Sequence, residues 1–157
     1  MEDQLTIVII TYNRYPFLLR LLKYYNSYQF PFRLLILDSS SDKLENKELI
    51  DFLSRKNVTH KLFDPDIFFV NKITEGCGLI ETEYAVLCAD DDFLIPAGIL
   101  ASRKFLVENT DYASAHGLYF NHTSAEEAKK EGFSIGQLYR NGESADQDTS
   151  TERLSAY

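Results

Sequence analysis

Cysteine is scarce in this chain: Cys77 and Cys88 are the only two among 157 residues. Two thiols are too few for a disulfide framework and do not stand at a metal-ligand spacing, so a reduced, cytoplasmic chain is expected. No Cys–His signature marks a nucleophile, and Cys88, inside an apolar run, reads as an inert core thiol. Long apolar runs are also missing. Near the start the longest uninterrupted one is Ile7 to Ile10, far short of a membrane span or a signal-peptide core, so no membrane segment is expected. Basic residues are outnumbered, 16 against 24 acidic, giving a net charge of -8. That balance argues against a general nucleic-acid binder or a binder of anionic membranes. Repeats and low-complexity linkers are absent. The triplets at Asn57 and Asn121 match a glycosylation acceptor, but without a secretory signal they carry no weight.

What is present is an ordinary globular composition, 45% hydrophobic and 25% charged, at a length that suits one domain. Leu5–Ile10 is β-branched and apolar on both faces, as in a strand covered from both sides. Phe17, Leu18, Leu21, Leu22 and Tyr25 follow at helical spacing, with Pro16 tolerated in the first turn. Leu34–Leu37 is a second buried run. A helix capped by Ser41 or Asp42 is expected to carry Leu44, Leu49, Ile50 and Leu53 to about Lys56. Residues 58–63 read as a third strand, and 67–82 as a helix interrupted around Gly76-Cys77-Gly78. Tyr84–Cys88 reads as a fourth buried strand, Ala97–Glu108 as a helix, and Tyr112–Phe120 as a weakly alternating strand. Strands alternating with helices predict an α/β fold, a mostly parallel sheet flanked by helices and built from right-handed crossovers. From about Asn121 aliphatic residues thin out; Ser134–Leu138 is expected to be a strand and Arg153–Tyr157 the start of a helix.

Three polar clusters each follow a buried strand: Thr11–Arg14, Asp38–Asp42 and Asp90–Asp92. Ligands of open α/β sheets bind outside the carboxyl ends of the strands, so all three should share one edge. Three adjacent carboxylates repel one another and need a cation or arginines to compensate. Short acidic side chains suit Mg²⁺ or Mn²⁺, which bind phosphate oxygens in their remaining positions. A solvated acidic turn capping the helix after Pro96 is the competing account. Asp38 is placed to accept from a ribose hydroxyl or a base N–H, or to form an Asx-turn or cap with Asp42; the residues alone leave both open. Thr11 and Arg14 could contact base or phosphate, Tyr12 and Tyr15 could stack on a base, and Arg20 and Lys23 read as a solvated basic helix face. Lys72 could reach a nucleotide or be a surface lysine. His60, His116 and His122 read as structural histidines.

The order TIVIITYNR (6–14), LLILDSSSD (34–42) and EYAVLCADDDFLIP (83–96) resembles the nucleotide-binding half of the GT-A fold glycosyltransferases, in their family 2-like branch. The resemblance covers about residues 5–120, within a single domain of 1–157 whose last part, about 121–157, would be an incomplete acceptor side or a tail. It implies a Rossmann-like GT-A sheet and a nucleoside-diphosphate sugar as donor, transferred to an acceptor hydroxyl, with inversion. It places Thr11, Asn13, Arg14, Asp38 and Lys72 on the nucleotide, Asp90 and Asp91 on the sugar nucleotide, and Mn²⁺ or Mg²⁺ on Asp91 and Asp92. The sequence departs from the family pattern at Ala89, where a first aspartate is usual, at Leu37, where an acid is frequent, and at Ser39, where glycine is usual. The family's catalytic base lies well past the metal motif; here Glu143, Asp146, Asp148 and Glu152 are the downstream acids, and none is assigned. A non-catalytic binding or assembly module is the alternative. A nucleotidyltransferase would want a Gly-rich loop after the first strand, which TYNRYP lacks.

Overall fold

The apolar run at the start of the chain is an interior strand. In the computed structural model, residues 4–29, 31–118, 120–121, 134–135 and 145–155 are described; they divide into two units, Met1–Pro96 and Ala97–Tyr157. The first unit alternates β1 (Leu5–Thr11), α1 (Tyr15–Ser27), β2 (Arg33–Asp38), α2 (Lys47–Leu53), β3 (Val58–Leu62), α3 (Phe69–Cys77) and β4 (Tyr84–Ala89). Its four strands are all parallel, in the order β3-β2-β1-β4. The fold is therefore α/β, a parallel sheet flanked by helices, as the alternation of elements predicts.

Register explains which side chains meet. Val8 pairs with Leu35 and Ile10 with Leu37 on one face; Ile7 pairs with Leu34 and Ile9 with Ile36 on the other. On the first face Val8, Leu35 and Leu37 form a buried cluster bordered by Ile10, Phe63 and Ile80. Helix α3 comes down on this face through Gly76, where a Cβ would run into the δ-methyls of Leu37. On the second face Leu34 lines a cavity together with Leu22 and Tyr25 of α1 and Phe52 of α2. Ile7, Ile9 and Ile36 are fully buried there, each contributing about 1.5–3 kcal/mol of apolar transfer free energy.

Several boundaries differ from the sequence expectation. Helix α2 starts at Lys47, not at Ser41 or Asp42, because the backbone N–H groups of those two residues donate to Asn13 Oδ1 at 2.9 and 3.1 Å. Asn46 caps the helix instead, accepting from the Leu49 amide at 3.0 Å. Segment 67–82 holds one nine-residue helix, which ends at Cys77 and closes with the Leu79 amide on the Gly76 carbonyl. Strand β4 is not buried on both faces. It ends the sheet order beside β1, and Leu87, the partner of Val8, is 53% exposed while Cys88 is buried.

Helix α4 spans Pro96–Glu108, one residue longer than the expected Ala97–Glu108, and in the second unit Phe105 meets Tyr112 edge-on at 5.1 Å. Residues 112–118 form no strand; Ala113, Ser114, Ala115 and His116 offer little apolar surface for a sheet to bury. Phe120–Asn121 is strand β5, antiparallel to β6, Ser134–Ile135. The rest of the expected 134–138 strand lies outside the described residues. Helix α5 covers Ser150–Ser155, starting ahead of the expected Arg153 because Thr149 and Glu152 form a capping box: the Thr149 amide donates to Glu152 Oε2 at 3.1 Å and the Glu152 amide to Thr149 Oγ1 at 3.2 Å.

Candidate functional site

The chain lays β2 and β3 outward from one side of β1, then returns to place β4 on the other side. Reversal of strand order opens a crevice outside the carboxyl ends of the two strands involved, here β1 and β4. Thr11 ends β1 and Asp90 follows β4. Thr11 Oγ1 donates to Asp90 Oδ2 at 2.8 Å across that junction, and both side chains are buried.

Arg14 completes the rim. Its Nε lies 3.4 Å from Asp90 Oδ1 and its Nη2 2.6 Å from Asp91 Oδ2. The guanidinium sits over the Phe17 ring at 4.5 Å. Arg20 lies over the same ring and over Phe93, 5.1 Å from each, and donates to the Asp91 carbonyl at 3.3 Å. Arg20 thus belongs to the rim, unlike the solvated residue its spacing suggested; Lys23 does point away, to Glu48 at 2.8 Å. The crowded carboxylates are compensated by arginine. The hydrogen bond from Arg14 holds the Asp91 carboxyl below its ordinary range. Burial pushes the Asp90 carboxyl up, against the opposing pull of Thr11 and Arg14. Asp92 is exposed, and among the described residues its carboxylate makes no hydrogen bond or ion pair.

Asp38 lies deeper and is fully buried. Its Oδ1 accepts from the Ser40 amide at 2.8 Å, an Asx-turn. Its Oδ2 accepts from Tyr15 Oη at 3.1 Å and lies 2.9 Å from His60 Nε2. Burial raises the carboxyl, but the bonds from His60 and Ser40 outweigh it and leave the pKa lowered. Of the two roles the sequence left open, the turn is the one this geometry contains; a ribose or base would compete with Tyr15 and His60 for the same oxygen. Tyr15 is accordingly a partner of Asp38, while Tyr12 is half-exposed.

Lys72 is 3% exposed, so it is not a surface lysine. Its ammonium donates to the Thr11 carbonyl at 3.1 Å and to Ser39 Oγ at 2.8 Å, tying the ends of β1 and β2 together. Burial lowers its pKa, opposed by the negative charge of Asp38 and Asp90. Asn13 joins the same two loops. At φ 53 it occupies the left-handed region that asparagine tolerates, and its amide N–H donates to Ser40 Oγ at 2.8 Å.

Thr11, Asn13, Arg14, Asp38, Lys72, Asp90 and Asp91 therefore gather at one sheet edge, by way of the contacts above. Sequence reasoning passed over Arg20 and His60 as parts of it, and read Tyr15 as a stacking surface where the structure makes it a hydrogen-bond donor to Asp38. His60 was within reach once strand pairing is known, because it opposes Ile36, two residues before Asp38 on the same face. Cys88 lies beneath the edge with its Sγ 3.5 Å from Tyr25 Oη, and burial pushes the thiol up to about 11, which suits a core residue.

Among the described residues no three His, Cys, Asp or Glu side chains are grouped to hold a metal ion. The donor set available is the adjacent pair Asp91 and Asp92, both exposed. Two carboxylates do not make a closed metal cage, but they fit Mg²⁺ or Mn²⁺, which complete their shell with phosphate oxygens and water. Of the downstream acids, Glu143 lies outside the described residues, as does His122, while Asp146 and Asp148 are exposed and Glu152 is held by Thr149. No described helix is long and apolar enough to cross a membrane. The chain matches no protein-family model, and no curated protein matches its sequence.

Proposed function

We propose that this sheet edge binds a nucleoside-diphosphate sugar, as the donor half of a metal-dependent glycosyltransferase that passes the sugar to an acceptor hydroxyl. The supporting observation is that Thr11–Asp90 and Arg14–Asp90/Asp91 meet at the reversal point of a parallel sheet. Thr11 fixes Asp90, Arg14 supplies positive charge toward a diphosphate, and Lys72 and Asn13 hold the two loops beneath the nucleotide. Asp91 and Asp92 would hold Mn²⁺ or Mg²⁺, which when bound supplies positive charge to a departing nucleoside diphosphate. Transfer also needs a group to take the proton of the acceptor hydroxyl. No described residue is assigned to that role.

Calorimetry with UDP, GDP and their sugars, with and without Mn²⁺, tests the reading. Binding is expected to be stronger with Mn²⁺, and Asp91→Asn and Asp92→Asn are each expected to weaken that metal-dependent component. If both variants bind as the parent does, the metal assignment falls. A non-catalytic nucleotide-sugar-binding module is the second reading, favoured by the capture of Glu152 in a capping box. Metal-dependent binding without sugar-nucleotide hydrolysis, and without transfer to a panel of acceptors, would select it.

A further inference from the structure

The ion pair between Arg14 and Asp91 is short, 2.6 Å, yet exposed on both sides, at 41% and 43% of the side-chain surface. The neighbouring carboxylate behaves differently. Asp90 is 3% exposed and is pinned by Thr11 at 2.8 Å, so it cannot leave. Arg14 is itself supported without Asp91, because its Cζ lies over the Phe17 ring, 4.5 Å from the centroid, and its Nε still faces Asp90. A guanidinium fork binds phosphate oxygens with the same geometry as carboxylate oxygens. Its Asp91-facing nitrogen is therefore held in a phosphate-binding pose by an internal carboxylate that solvent already reaches.

We propose that Asp91 stands in for a phosphate in the free protein, and that Arg14 Nη2 passes from Asp91 to the diphosphate of an incoming nucleotide. Phe17 and Asp90 keep the guanidinium in place during the exchange, so little side-chain order is lost. The carboxylate of Asp91 is released at the same moment that the diphosphate arrives. This inference rests on the rim being a nucleoside-diphosphate site, but it needs no metal, and its test is run without one.

UDP and GDP are titrated by calorimetry in EDTA. Asp91→Asn is expected to bind about twofold to fivefold more tightly than the parent, the range an exposed ion pair of this kind is worth. Removing any nearby negative charge helps an anion, so Asp92→Asn is the control: it deletes the same charge with no bond to Arg14, and its gain is expected to be smaller. Arg14→Ala is expected to bind more weakly than the parent. In the Arg14→Ala background, Asp91→Asn should give no more than the Asp92→Asn gain. Arg14→Lys, which keeps the charge and loses the fork, should fall between parent and Arg14→Ala. Equal gains for Asp91→Asn and Asp92→Asn, or an Asp91→Asn gain that persists without Arg14, would overturn the exchange while leaving Mn²⁺-dependent binding intact. If neither nucleotide binds any of these proteins even with Mn²⁺, the donor-site reading itself falls, and the exchange with it.

Discussion

Thr11 and Asp90, 79 positions apart in the chain, share a hydrogen bond of 2.8 Å between two buried side chains. That bond joins the end of an interior strand to the first residue beyond a neighbouring one, and so sets where the rest of the aspartate run is presented. Thr11→Val keeps the shape and removes the hydroxyl, leaving a buried carboxylate oxygen short of its donor. A loss of about 1–3 kcal/mol is expected in urea unfolding. The Asp90 carboxyl should also titrate higher, because Thr11 is one of the groups holding it down. An unchanged midpoint would mean that the bond carries no stability.

Lys72 supports two loops with a single buried ammonium. Lys72→Met preserves length and removes the charge, leaving the Thr11 carbonyl and the Ser39 hydroxyl without that donor. The variant is expected to be about 2–3 kcal/mol less stable at pH 7. NMR titration should find the Asp38 and Asp90 carboxyls raised relative to the parent. Carboxyls that titrate as before would show that Lys72 acts by packing alone.

Asp38 gives a pH dependence whose sign is fixed by its lowered pKa. A carboxyl lowered on folding stabilises the fold above its unfolded value, about 3.9, and that contribution is lost as pH falls through the folded value. Tyr15, Ser40 and His60 make the contacts, and Lys72 adds positive charge nearby. The parent should therefore lose thermal stability more steeply than Asp38→Asn does as the pH falls below about 4. Parallel curves for the two proteins would remove Asp38 as the source.

Asn46 is the side chain that starts α2. Asn46→Ala is expected to cost about 1 kcal/mol in chemical unfolding, the usual worth of such a cap. Ser41→Ala is expected to cost less, since Ser41 lies in the loop ahead of the helix. The reverse ranking would restore the earlier start expected from sequence.

The sheet was legible because Leu5–Ile10 and Leu34–Leu37 are apolar at consecutive positions, a pattern that a doubly covered parallel strand explains and an exposed one does not. The convergence of Thr11–Arg14, Asp38–Asp42 and Asp90–Asp92 followed from the rule about strand ends. Side-chain partners were not legible. Tyr15 and His60 meet Asp38 only after three elements have folded together, and nothing in a one-dimensional pattern encodes that meeting. The start of α2 was misjudged for a similar reason: Asn13, nearly thirty residues away, had already taken the amides that Ser41 and Asp42 would have offered a helix. Burial misled at Lys72, since a lysine in sequence reads as solvent-facing until its acceptors are in place. For β4 the apolar run was read correctly as a strand, but its position at the end of the sheet order was not written in its own residues.

The amide of Asn13 also limits how this protein can diverge. One short side chain, held in a left-handed turn, serves the segment after β1 and the segment after β2 together. Adding or deleting a residue in either segment would carry the acceptor away from its donors, so neither is free to change length unless the other changes in step.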